Sequence, residues 1–75
     1  MRIVERGQLD GEFEGFEDTE KIFRFLSSGT RWRQKQYHYL YHYSYMPQAK
    51  VVERGGRHFL EVAGLAVSIE VERVW

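Results

Sequence analysis

The side chains best equipped for chemistry lie between positions 31 and 45. Tyr37, Tyr39, Tyr41, Tyr43 and Tyr45 recur at every second position, interleaved with His38, Leu40, His42 and Ser44. Arg31, Arg33 and Lys35 continue the same spacing upstream. In an extended chain alternate side chains emerge on one side. A strand running unbroken from Arg31 would therefore set a row of cations leading into a row of phenol rings. Two binding chemistries use such a row. Single-stranded nucleic acid is one: cations track its phosphates and bases stack on rings at about 1–3 kcal/mol each, with Gln34 and Gln36 free to add hydrogen bonds. A protein surface, a second copy of the chain included, is the other, because tyrosine offers a large contact area at low entropy cost. The structural alternative is that the rings pack on neighbouring strands or lie scattered in solvent. Among the binding readings, a net charge of zero favours protein contact over a polyanion.

Other constellations lead less far. His38 and His42 would share a metal on a helix, but on a strand they stand about 13 Å apart along the axis. There is no cysteine, hence no thiolate nucleophile, zinc ribbon or disulfide. No glycine loop for phosphate and no Gly-x-Ser-x-Gly elbow is present. Ser27-Ser28 reads as turn chemistry. Glu12, Glu14, Glu17 and Asp18 could pair for acid–base work, yet they equally suit the exposed face of an acidic strand. The expectation is a binding module without catalysis, metal or cofactor.

The elements that must position these residues are short strands. Seventy-five residues make one domain near the lower size limit for unaided folding. Glycines punctuate the chain at Gly7, Gly11, Gly15, Gly29, Gly55-Gly56 and Gly64, as turns or bulges do. Asp10-Gly11 reads as a turn or a bulge. The segment 21–26 fits a strand, with Phe23 and Phe25 on one face, or a helix capped by Asp18 and ended at Gly29; its aromatic and β-branched content favours the strand. Pro47 must stop the tyrosine strand. Gly55-Gly56 predicts a hairpin between 50–54 and 57–62. After Gly64, Val67, Ile69, Val71, Arg73 and Trp75 share one face, against Ser68, Glu70 and Glu72. The whole, residues 1–75, reads as an all-β domain, a small antiparallel SH3-like barrel or strongly curled sheet of five or six strands. Trp32, Phe23, Phe25, Phe59, Leu60, Val62, Val67, Ile69 and Val71 are its expected core.

The tyrosine strand presents a packing conflict. Five phenols would overfill so small an interior, and each buried hydroxyl without a partner costs about 1–3 kcal/mol. The opposite face offers only Leu40 among His38, His42 and Ser44. A coiled strand would resolve this, burying tyrosines at one end and exposing those at the other.

Charge is segregated along the chain. Residues 1–20 hold seven acids and two bases, residues 21–50 hold six bases and no acid, and the remainder is nearly balanced. Either an acidic strand neutralises a basic one across the sheet, or a basic surface faces an anionic partner. The N-terminal residues lack the apolar run of a secretion signal, and no stretch approaches the roughly twenty apolar residues of a spanning helix. A cytoplasmic, soluble protein is expected.

The succession Gly11-x-Phe13-x-Gly15-Phe16, Ile22-Phe23-x-Phe25, Gly29-x-x-Trp32-x-Gln34, the Tyr-x-Tyr run to Pro47 and Val62-x-Gly64 resembles a family of small, uncharacterised bacterial domains. The likeness spans about residues 10–73. The family pattern has tryptophan where Phe16 stands and one residue fewer between Phe25 and Gly29. The resemblance implies an independent small domain and no particular activity.

Overall fold

The structure, a computed structural model, describes residues 1–17 and 19–75. Eight strands and no helix form among them: β1 (Arg2–Gln8), β2 (Glu12–Phe16), β3 (Ile22–Arg24), β4 (Arg31–Gln34), β5 (Leu40–Tyr45), β6 (Gln48–Arg54), β7 (Arg57–Val62) and β8 (Ile69–Val74). Six build one antiparallel sheet in the order β1-β6-β7-β8-β4-β3, while β2 and β5 pair as a separate ribbon. No helix among the described residues is long and apolar enough to cross a membrane.

The six-stranded sheet curls until its outer strands meet at one point. There Leu9 and Phe25 form an isolated antiparallel bridge, with Leu26 N–H donating to Gln8 O and Asp10 N–H to Arg24 O, both at 2.8 Å. A single bridge joins the outer strands, so the ladder does not run continuously around. The β6–β7 hairpin turns at Gly55 and Gly56, whose φ values of 57° and 81° are the two positive angles of a type I′ turn. Segment 21–26 is a strand, three residues long, and Phe25 extends it only through the bridge. Asp18, the cap that a helix there would have used, lies outside the described residues.

The core comprises Leu9, Phe13, Phe16, Phe23, Phe25, Trp32, Ala49, Val51, Leu60, Val62, Ile69 and Val71, with Leu40, Leu65 and Val67 partly buried against it. Phe59 was expected inside but lies half-buried on the outer face. Residues 58, 60 and 62 point inward along β7, so 59 must point out, between its register partners Val52 and Glu70. Arg73 and Trp75 likewise leave the inward row and are exposed.

The ribbon is fastened to the sheet by two rings. Phe13 and Phe16 sit three apart, which in a regular strand would put them on opposite faces. Both are nevertheless buried, packed edge-on at 5.5 Å from one another, with Phe16 edge-on to Phe23 at the same distance. The irregularity that permits this is Gly15, at φ 106°, where the β2–β5 register shifts. A Cβ on Gly15 would stand 1.8 Å from the Leu40 carbonyl oxygen, so only glycine lets the two backbones approach this closely.

The strand expected to run unbroken from Arg31 to Tyr45 is two strands in two sheets. β4 ends at Gln34, residues 35–39 carry no ladder, and β5 begins at Leu40. The break is the crossover from sheet to ribbon. The chain bends at Gln36, where residues 35, 36 and 37 are all exposed, and alternation resumes beyond it, with 37 and 39 exposed and 38 and 40 half-buried.

Candidate functional site

β5 pairs with β2 alone, and its inner face of Leu40, His42 and Ser44 is half-buried. The outer face therefore takes Tyr41, Tyr43 and Tyr45, and the crossover adds Tyr37 and Tyr39. All five rings are exposed, between 48% for Tyr43 and 70% for Tyr37 and Tyr39. The expected division into buried and exposed tyrosines does not occur. The ribbon rests on the curled sheet through Phe13 and Phe16, leaving the interior already filled by phenylalanine.

The acids of β2 share this face. Glu12 is the register partner of Tyr45. It accepts a hydrogen bond from the Tyr43 hydroxyl at 3.2 Å. That bond, with the nearby charges of Glu12 and Glu14, pushes the Tyr43 phenol above its ordinary range. Glu14, Glu17, Tyr39 and Tyr41 surround a small depression of about 90 Å³ floored by Phe16 and Leu40. Its rim is held by backbone and by Gln34, the one buried polar side chain among the described residues. Gln34 Oε1 accepts from Glu17 N–H at 3.2 Å, and its Nε2 donates to Gln36 O at 2.8 Å. His38 N–H donates to Glu17 O at 3.4 Å. Thus Gln34, at the end of β4, ties Glu17 to the start of the crossover, and the Glu17 side chain is left exposed.

The cations do not lead into the rings. Arg33 lies on the outer side of the six-stranded sheet, paired with Glu72 at 2.6 Å and 3.0 Å through two of its nitrogens. Lys35 Nζ stands 3.8 Å from Glu70, whose carboxylate Arg57 also holds at 2.8 Å. The Arg57 hydrogen bonds, reinforced by both cations, overcome the opposing effect of desolvation and depress the Glu70 carboxyl below its usual range. Arg31 is exposed at the far end of β4. Gln34 and Gln36, expected to be free for a ligand, are engaged internally: Gln36 Oε1 accepts from Glu70 N–H at 3.1 Å. The basic middle of the chain is thus neutralised chiefly by C-terminal acids, apart from Asp10 and Arg24 at 2.7 Å. Among the described residues no cation lies within ion-pairing distance of Glu12, Glu14 or Glu17.

Sequence reasoning missed these three acids as neighbours of the rings. The alternation of Glu12 and Glu14 marks an exposed strand face, but nothing in it names β5 as the partner strand. Two other features lie elsewhere. A larger depression, about 330 Å³, is lined by Arg6, Lys50, Glu61, Val62, Gly64 and Leu65 among others, and Lys50 and Glu61 at 3.7 Å largely neutralise its rim. Glu5 is ringed by Ser28, Thr30 and Trp32 Nε1, all donating. Partial burial would raise its carboxyl, but those hydrogen bonds and Arg73 together hold it below the ordinary range. No group of three metal-ligating side chains gathers among the described residues. No protein-family model matches the chain, and neither curated proteins nor solved structures yield a match.

Proposed function

We propose that this protein is a non-catalytic binding module that meets another protein, or a second copy of itself, through the outer face of the β2–β5 ribbon. The observation that carries the reading is the exposure of all five tyrosines along one extended stretch anchored from beneath. Contiguous exposed rings of this kind mark contact surfaces more often than inert ones. The curling of the six-stranded sheet to the Leu9–Phe25 bridge supports reading its scaffold as an SH3-like barrel. Single-stranded nucleic acid fits less well, since Glu12 and Glu14 would repel phosphates while Arg33 and Lys35 are already ion-paired.

Two measurements test the proposal together. Sedimentation across a wide concentration range compares the wild type with a Y41S/Y43S/Y45S variant. A photo-crosslinking phenylalanine analogue at position 43 is introduced in parallel. The proposal expects association or a captured partner that Y41S/Y45S abolishes. A monomer at millimolar concentration with no such capture removes it.

A further inference from the structure

Resting on that reading, we infer that the partner seats a cationic side chain, an arginine or lysine of an extended basic segment, in the depression between Tyr39 and Tyr41. The carboxylates of Glu14 and Glu17 stand at its rim, and Phe16 and Leu40 form an apolar floor for the stem of the incoming side chain. A volume of about 90 Å³ is roughly three water molecules' worth and has room for a guanidinium or ammonium head. Rings on the walls and acids at the mouth are the two attractions a cation finds outside water.

The rest of the molecule shows what this surface lacks. Among the described residues, the two other aromatic rings that reach the surface, Phe59 and Trp75, each have an arginine of the chain beside them. Arg54 and Arg57 stand 4.3 Å and 5.6 Å from the centre of Phe59, and Arg73 stands 4.2 Å from that of Trp75. Among the described residues no cation stands over a tyrosine. The same face holds Glu12, Glu14 and Glu17 without a counter-charge. Among the described residues, uncovered rings and uncompensated acids coincide only on the ribbon, and one kind of group answers both. The partner segment is extended because the rings are spaced every second residue, so cations at alternate positions of a facing strand fall into step with them.

The test is an NMR titration of the protein with four probes: an alternating Gly-Arg heptapeptide, its Gly-Lys counterpart, a Gly-Glu peptide of equal length, and oligo(dT). The basic peptides are expected to shift the Tyr39 and Tyr41 ring signals and the Glu14 and Glu17 amides. Affinity should fall at least fivefold in E14Q/E17Q, whose thermal melt is measured to confirm folding, and fall again on raising salt. The acidic peptide and oligo(dT) should leave the rings unmoved. The inference is overturned by silent rings with both basic peptides, by equal binding in E14Q/E17Q, or by equal response to the acidic peptide or oligo(dT). If basic peptides do nothing while the rings broaden with the protein's own concentration, a second copy is the occupant; this inference then fails and the proposed function stands. Silence in the titrations, the sedimentation and the crosslinking sinks both.

Discussion

The outer face of the six-stranded sheet and the outer face of the ribbon are built from similar residue types and end in opposite states. On the sheet, Arg33 meets Glu72, Lys35 and Arg57 share Glu70, Lys50 approaches Glu61, and Phe59 lies beneath two guanidinium groups. On the ribbon, rings and carboxylates stand side by side with no cation among them. The first surface has met its electrostatic needs within the chain. The second has met only its mechanical ones, through Phe13 and Phe16 underneath. Composition averaged over the molecule hides this difference, because in a chain of zero net charge the excess of acid on one face is offset by an excess of base elsewhere.

The comparison can be broken most forcefully from below. Phe16→Ala removes a ring that is 1% exposed and is expected to cost about 3–5 kcal/mol, enough to unfold a domain of this size. Hydrogen exchange on any folded remainder would show β2 and β5 losing protection before β6 and β7; simultaneous loss would mean that ribbon and sheet are one cooperative unit. Gly15→Ala acts on the same joint through the backbone. Its methyl meets the Leu40 carbonyl and must adopt φ 106°, at an expected cost of about 2–3 kcal/mol in a denaturant titration. An unchanged midpoint would show that the two strands part without penalty.

Glu5→Gln probes the satisfied side. It is expected to cost about 1 kcal/mol at neutral pH, because the carboxylate accepts from Ser28, Thr30 and Trp32. A carboxyl held low when folded stabilises above the unfolded range and loses that contribution as pH falls through it toward the lowered value. The gap between wild type and E5Q should therefore close in acid; a gap that widens would refute the assignment. The smallest effect is expected from Tyr41→Ser, Tyr43→Ser or Tyr45→Ser taken singly, each within about 0.5 kcal/mol of the wild type. Exposed rings contribute little to folding, so a large loss of thermal stability would show that the stripe serves the fold.

Much of the fold was legible. Gly55-Gly56 announced its hairpin, Pro47 its stop, and the period of two its extended chain. β1 was not visible, because its register against β6 shifts between Ile3 and Glu5 and spoils the alternation. Eight strands rather than five or six follow from such interruptions. The same period that revealed the tyrosine strand also concealed its division: residue types keep alternating in the sequence past Gln36, although the backbone bends there and changes sheets. The size of the interior made some exposure of the rings expected, but not that of all five. Their acidic neighbours were not expected, since a pairing between residues 12–16 and 40–45 across a register shift leaves no local mark.

The closing seam at Leu9 and Phe25 bears on how the molecule is made. β1 waits for β6, and β4 waits for β8, so neither flank of the curl can settle until residues synthesised forty or so positions later arrive. Until then a nascent chain offers open strand edges beside a run of uncovered phenols, a combination prone to the wrong partner. Pairing at such long range forms more slowly than local pairing, so the edges stay open for longer.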